Sequence, residues 1–329
     1  MTSALMEAIE GFHAEEVNAD CRASYREIAA GERIVVDPLT LCSTGRCFDA
    51  NAPISWFEAF DLPHQEPCWV PAEIVHTDYT QPLDGYFLAG SHGLASGNHL
   101  VEAISARICE LVDRDAVALW AALGIRATAQ WALDIGSVDD PDCGALLAKY
   151  EAAGIAVRLW NVTTDGGIPA FVCDIGDPSC DEPRRLRRFH GSGCHPDRVI
   201  ALIRALTEAA QTRLTYIAGI RDDLLPAEYE EPPTAEIVDA LIDALRAENT
   251  PRSFPEVPGF IANDLGQDLR WELERLQSAG VARAVVVDLT RPEFEIPVVR
   301  MVVPDLEGDI RHPQYTFGER ARRAAAQAG

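Results

Sequence analysis

Apolar residues recur with a helical period in several stretches of the chain. Between positions 99 and 120, successive residues advance by about 100° around a helix axis. That rotation gathers one apolar stripe, made of Val101, Ile104, Ile108, Leu111, Val112 and Leu119. The same reasoning predicts helices over 3–17, 99–120, 141–153, 196–216, 234–248 and 267–279.

Continuous Val-rich runs predict buried strands instead. ARAVVVDLT and IPVVRMVVP are the clearest examples, with Pro297 and Pro304 at strand ends. Strands are predicted near 69–76, 85–89, 127–134, 155–161, 168–174, 283–287 and 296–303, and a loop is predicted over 176–197. The helices and strands follow no strict βαβ repeat. The fold class predicted is therefore α/β in the mixed α+β sense, with mixed sheets rather than a doubly wound sheet.

The predicted helix over 99–120 also carries acidic residues on one face. Glu102, Glu110 and Asp113 lie roughly 130° away from the apolar stripe, and small Ala103 and Ala106 lie beside them. The first predicted helix has a shorter acidic pattern, with Glu7 and Glu10. Two acidic helices that face one cleft would suit hard cations, and magnesium commonly accompanies a nucleotide.

Each of these residues also has a simpler interpretation. Acids opposite an apolar stripe are commonly the solvated face of a helix. Asn98 is at a position typical of an N-cap, and Glu7 and Glu10 are acids that the helix dipole favours near an N-terminus. Spacing alone leaves both interpretations open.

Composition narrows the class of partner. The 329 residues include 52 acidic and 28 basic side chains, a net charge of −24. This charge disfavours nucleic acid and anionic membranes as partners. The sequence also has no apolar run of about 18 residues that would predict a transmembrane helix. We therefore expect a cytoplasmic protein. A basic cluster, Arg184, Arg185, Arg187 and Arg188, would either contact a phosphate or acidic peptide or pair with surplus acid.

The amino-acid sequences of four segments resemble those of one family. SALMEAIEGFHAE at 3–15 has the pattern S-x3-E-x2-E, and GLASGNHLVEAISARICELVDRDA at 93–116 has N-x3-E followed by an acidic pair and Arg. Together with RALTEAAQTRLTYIAGIRDD at 204–223 and DLTRPEFEIPVVRMVVPDLEG at 288–308, they are similar to the YcaO family of ATP-dependent peptide-modifying enzymes. No Walker or G-x-G-x-x-G phosphate motif competes with this resemblance.

The resemblance implies a YcaO-like fold, a single domain over 1–329, and an ATP cleft lined by acidic helices. It implies nucleotide contacts at Ser3, Glu7, Glu10, Asn98, Glu102, Glu110, Asp113 and Arg114. It implies Mg²⁺ ligands at Glu7, Glu10, Glu102, Glu110 and Asp113. Arg213 and Arg221 are further candidates for nucleotide binding, with pairing to a surface acid as the alternative. Asp113 stands where the family usually has Glu, and its shorter carboxylate can still ligate magnesium.

The implied reaction is ATP-dependent modification of a peptide backbone amide to a thioamide or an azoline through O-phosphorylation. The expected partner is a precursor peptide or protein, and a homodimer stays open. The chain has no Pro-rich tail of the PxPxP kind. In this respect it resembles members of the family that work with a TfuA-like protein, and such a partner is therefore expected. The chain also begins inside the first acidic motif, without the family's usual Gly-rich segment. A nucleotide-binding accessory subunit without ATP turnover is therefore the alternative. His312, Tyr315 and Arg320 are within possible reach of the site, but surface roles are favoured for them.

Overall fold

The computed structural model describes residues 2–80, 83–124, 129–177, 188–219 and 252–328. Their contacts divide the chain into two compact units, Met1–Ala122 with Ile261–Gly329, and Leu123–Phe260. The described helices are α1 Thr2–Glu15, α2 Tyr25–Ala29, α3 Leu100–Ala122, α4 Pro141–Ala152, α5 Arg198–Ala218, α6 Leu265–Ser278 and α7 Glu319–Ala328. The strands are β1 Cys21–Ser24, β2 Ile34–Val35, β3 Pro53–Asp61, β4 Glu66–Pro71, β5 Leu94–Ser96, β6 Ala156–Asn161, β7 Ala170–Gly176, β8 Phe189–Cys194, β9 Val285–Asp288 and β10 Val298–Val302.

The first unit is built on a mixed sheet. Its described strands run in the order β2-β4-β3-β9-β10-β5, and β1 pairs with the first half of β3. All pairings are antiparallel except β2 with β4. All five residues of β10 are buried, as its Val-rich sequence predicts, and it lies between β9 and β5. Helices α1 and α3 both contact β5, which brings the two acidic helices to one edge of the sheet.

The second unit contains the antiparallel sheet β6-β7-β8 and the helices α4 and α5. Helix α5 packs directly on β8 at two glycines. A Cβ atom on Gly191 would lie 2.2 Å from the backbone nitrogen of Ala209, and one on Gly193 would lie 2.4 Å from the backbone oxygen of Ala201. The approach is possible only because neither position has a side chain.

The mixed α+β class and five of the predicted helices are confirmed, while the sixth, 234–248, lies outside the described residues. Three strand predictions were wrong in detail. The strand near 69–76 ends at Pro71, the segment 85–89 contributes one isolated bridge at Phe87, and 127–134 contains a 3-10 turn over 129–131. The predicted loop over 176–197 was also wrong, because it contains β8. Glycine is depleted in strands as a rule, but in β8 Gly191 and Gly193 are needed for the packing of α5.

Candidate functional site

The acidic residues of α1 reach the sheet edge. Glu10 accepts hydrogen bonds from the backbone nitrogen of Ser96 at 2.8 Å and from its hydroxyl at 2.6 Å. Ser96 is the last residue of β5, and α3 begins four residues later. The carboxylate of Glu10 is therefore fixed beside the start of the second acidic helix.

A single guanidinium joins the two helices. Arg107 on α3 lies 3.6 Å from Glu10 and 2.9 Å from Glu110. Glu110 also accepts a hydrogen bond from the backbone nitrogen of Gly93 at 3.1 Å. Sequence reasoning did not select Arg107. Its i,i+3 spacing to Glu110 was the available signal, but only the tertiary structure brings Glu10 to the same cation.

Further along α3, Asp113 and Arg114 extend this cluster. The Arg114 guanidinium lies 3.4 Å from Asp113 and 3.9 Å from Glu110. The side chains of Asp113 and Glu110 are only 8% and 18% exposed, so these acids are not the solvated face of a helix. Burial raises the pKa of Glu110, but Arg107, the Gly93 N–H and Arg114 outweigh it, and the pKa lies below its usual value.

Asn98 and Glu102 form a separate pair at the N-terminal end of α3. The backbone nitrogen of Asn98 donates to Glu102 at 2.8 Å, and its side-chain amide donates at 3.1 Å. Glu102 is half-buried and Asn98 is exposed. The pair therefore extends the polar face of α3 beyond the Arg107 cluster.

The remaining predicted contacts are less defined. Glu7 is exposed on α1, and the side chain of Ser3 lies outside what is described. Arg213 is half-buried on α5 of the second unit. Arg221 and three members of the basic cluster, Arg184, Arg185 and Arg187, lie outside the described residues. The ligand roles of all these residues stay predictions.

The donor set of the cluster suits magnesium. Carboxylate oxygens are hard ligands of the kind Mg²⁺ prefers. Glu10, Glu110 and Asp113 supply them from two helices, and Glu102 supplies another at the end of α3. Arg107 and Arg114 provide part of the positive charge that so many adjacent carboxylates require.

A second polar cluster attaches the C-terminal helix to α3. Arg320 of α7 donates from Nε to both oxygens of Asp115 at 2.9 Å. Glu307 accepts from the Tyr315 hydroxyl at 2.6 Å and from the backbone nitrogen of Ala321 at 2.7 Å. The expected surface role is therefore wrong for Arg320, which is 9% exposed, while Tyr315 and His312 are half-buried. Burial raises the pKa of Asp115 to about 6, against the opposing effect of Arg320.

A cavity of about 110 Å³ borders this part of α3. It is lined by side chains that include His92, Asp309, Arg114 and Arg300. Arg300 of β10 is 1% exposed and donates to the backbone oxygens of His92 and Gly90, and burial lowers its pKa to about 10. His92 Nε2 lies 3.1 Å from Asp309 Oδ2. Sequence reasoning missed His92, Asp309 and Arg300, because no local motif joins them.

Two of the relatives found by comparison with known proteins match this chain over nearly its whole length. One is an uncharacterised protein in the tfuA 3′ region of Rhizobium leguminosarum bv. trifolii, 34% identical over 327 residues, 98% of this chain and 77% of that protein. The other is an uncharacterised protein of Methanothermobacter thermautotrophicus, 33% identical over 93% of this chain and 78% of that protein. The similarity thus covers both units of the chain.

Solved structures share the fold. The heterocyclase TruD matches with a TM-score of 0.75 at 26% identity over 94% of this chain. YcaO from Methanopyrus kandleri, bound with AMPPCP and Mg²⁺, matches with a TM-score of 0.71 at 21% identity over 96% of this chain and 79% of that one. The chain spans about half the length of TruD (46%). A family model described as YcaO cyclodehydratase, ATP- and Mg²⁺-binding, matches residues 1–307. With that match over nearly the whole chain, and with the acidic helices side by side, the protein belongs to the YcaO family, whose cofactors are ATP and Mg²⁺.

Proposed function

We propose that this protein uses Mg²⁺-ATP to modify a backbone amide of a peptide, in the cytoplasm and with a TfuA-like partner, and that the product is a thioamide or an azoline. The observation that carries the proposal is the carboxylate cluster shared by α1 and α3 around Arg107. The relative in the tfuA 3′ region supports the partner. Among the described residues no helix is long and apolar enough to cross a membrane.

The chemistry needs a better leaving group than an amide oxygen. A nucleophile adds to the peptide carbonyl, and the resulting oxygen takes the γ-phosphoryl group of ATP, so that phosphate departs in place of oxide. Bound Mg²⁺ would offset the triphosphate charge while the phosphoryl group moves. Glu10, Glu102, Glu110 and Asp113 would hold the metal, and Glu7 would complete the set from the exposed side of α1.

The protein groups have separate tasks in this proposal. Ser96 and Gly93 hold Glu10 and Glu110 through their backbone N–H groups, which keeps the two carboxylates oriented. Arg107 balances their charge. Arg114, adjacent to Asp113, would supply a cation for the phosphate oxygens.

Calorimetry with Mg-AMPPCP tests the nucleotide site. Glu110→Gln removes one negative charge and keeps the side-chain shape, so binding should be lost. The matched control is Glu274→Gln on α6, where the carboxylate is exposed and outside the cluster. Equal affinity in wild type and Glu110→Gln would contradict the assignment.

Mass spectrometry tests the reaction. The protein is co-expressed with any short peptide encoded near its gene and with any TfuA-like neighbour. An azoline is lighter by one water, whereas a thioamide gains the mass difference between sulfur and oxygen. Asp113→Asn should abolish either change. An unmodified peptide together with intact Mg-AMPPCP binding would favour the accessory-subunit alternative.

A further inference from the structure

The cavity beside α3 contains a histidine–aspartate pair that the nucleotide site does not explain. His92 Nε2 lies 3.1 Å from Asp309 Oδ2. The two residues come from the loops before β5 and after β10, so the neighbouring strands bring them together. The His92 side chain is 36% exposed and that of Asp309 is 8% exposed, which leaves the imidazole open to a ligand in the cavity.

Asp309 is held in one orientation. Arg311 donates from its backbone nitrogen to Oδ1 at 2.9 Å and from Nη2 to Oδ2 at 2.8 Å. Burial raises the pKa of Asp309, but His92 and Arg311 outweigh it and keep that pKa well below its usual range. An ionised Asp309 can only accept a hydrogen bond, so the facing Nε2 of His92 must have the hydrogen. Asp309 therefore selects the His92 tautomer with hydrogen on Nε2.

The opposite nitrogen, Nδ1, is then a lone-pair acceptor. Among the described residues it has no hydrogen-bond partner. Gly90 lies beside it, and a Cβ atom at that position would be 3.0 Å from Nδ1. The absence of a side chain at Gly90 therefore leaves room for a ligand atom to approach Nδ1.

The pair is also close to the carboxylate cluster. Gly93, the next residue after His92, donates its backbone N–H to Glu110 at 3.1 Å. The buried Arg300 holds the backbone oxygens of His92 and Gly90. Arg114, which contacts Asp113, lines the same cavity as His92. His92 therefore directly precedes the residue, Gly93, whose N–H holds Glu110 of the proposed metal site.

We propose that His92 is the general base of the reaction and that Asp309 is its positioning residue, an inference that rests on the proposed function. The proton of the attacking nucleophile moves to Nδ1 of His92. The electron pair of the nucleophile forms the bond to the carbonyl carbon, and the carbonyl π pair moves to oxygen. That oxygen takes the γ-phosphoryl group as the bond to ADP breaks. The bond from that carbon to the phosphorylated oxygen then breaks with its electron pair on phosphate. The nitrogen lone pair forms the C=N bond of the azoline, and the amide proton passes to solvent.

The first test reads the tautomer and needs no activity. Nitrogen NMR of the protein with ¹⁵N-histidine at pH 8 is compared with the same spectrum of His92→Gln. The ring whose signals disappear in the variant should have hydrogen on Nε2 and none on Nδ1. A ring with hydrogen on Nδ1, or on both nitrogens, would overturn the proposal.

The second test compares binding with modification. His92→Gln should lower peptide modification by about 100- to 10,000-fold, while the affinity for Mg-AMPPCP changes less than about twofold. The peptide is one that the wild-type protein modifies in the co-expression test. The matched control is His190→Gln in the second unit, where Nδ1 lies 2.9 Å from Asp174 and the side chain is 37% exposed. This control should retain full activity.

Chemical rescue separates catalysis from structure. Added imidazole should restore modification by His92→Ala at least tenfold, and the same imidazole should restore Asp309→Asn much less. Full activity in His92→Gln would overturn the role of His92 as general base but not the proposed function. Absence of rescue in a folded His92→Ala that binds Mg-AMPPCP would do the same. A wild-type protein that binds neither nucleotide nor peptide overturns the proposed function and the general base with it.

Discussion

The buried ion pair between Asp115 and Arg320 provides a sharp test of the packing of α7 on α3. Asp115 is 1% exposed and accepts from Arg320 Nε through both oxygens at 2.9 Å. Replacement by Arg320→Met keeps a long apolar side chain and removes the cation. Arg323→Met is the matched control, because Arg323 lies on the same helix and is exposed.

The expected cost follows from burial. Removing one partner of a buried ion pair costs about 3–5 kcal/mol, since it leaves a charge without compensation. In the part of the chain that the structure describes, the backbone nitrogen of Glu307 would still donate to Asp115, at 3.0 Å. Loss of the exposed Arg323 should cost within about 0.5 kcal/mol. Arg320→Met should therefore loosen α7, whereas Arg323→Met should not.

The penalty should also depend on pH. In the folded protein the pKa of Asp115 is raised from 3.8 to about 6. A carboxyl with a raised folded pKa stabilises the fold fully below its unfolded pKa and loses that contribution as pH rises through the folded value. The loss amounts to about 3 kcal/mol for a shift of this size. Arg320→Met raises this pKa further. Its penalty should therefore be small at pH 5, reach about 2.7 kcal/mol at pH 8, two pH units above the wild-type pKa, and become complete only at a higher pH.

Hydrogen exchange measured by mass spectrometry on peptides that cover α7 gives the result directly. At pH 8, protection in Arg320→Met should fall by up to about 100-fold, the equivalent of about 2.7 kcal/mol. The double variant Asp115→Asn with Arg320→Met should recover most of that protection. Equal protection in Arg320→Met and Arg323→Met at pH 8, or the same penalty at pH 5, would refute the reasoning.

Three further predictions concern packing and the metal site. In urea unfolding, Gly193→Ala should destabilise the protein by about 1–3 kcal/mol because its methyl group meets α5, whereas Gly144→Ala, in a helix with open space, should stabilise it by up to about 1 kcal/mol. EDTA should lower nucleotide affinity by orders of magnitude, because adjacent carboxylates and a triphosphate repel each other without a cation; tight binding in EDTA would show that these acids do not face the triphosphate. In scanning fluorimetry, Arg107→Met should lower the melting temperature without metal and enlarge the gain on adding Mg²⁺, since Glu10 and Glu110 lose their shared cation; an unchanged gain would contradict this role.

The sequence by itself determined the features that depend on neighbours along the chain. Helical geometry places Glu110, Asp113 and Arg114 within one turn of each other whatever else the chain does. The Val-rich runs at β9 and β10 favour strands in a buried sheet. These local regularities carried the fold class, the family and most of the candidate ligands.

The tertiary structure alone decided which distant groups meet. Glu10 reaches Ser96 and Arg107 only because α1 and α3 both lie against β5. His92 meets Asp309 across 217 positions of sequence, and nothing local marks either one. The strand β8 shows the same limit, because its glycines oppose strand formation locally and are favoured only by the close approach of α5. Propensity acts within a few residues, whereas burial and pairing act between elements, and so the contact of His92 with Asp309 exists only in the folded chain.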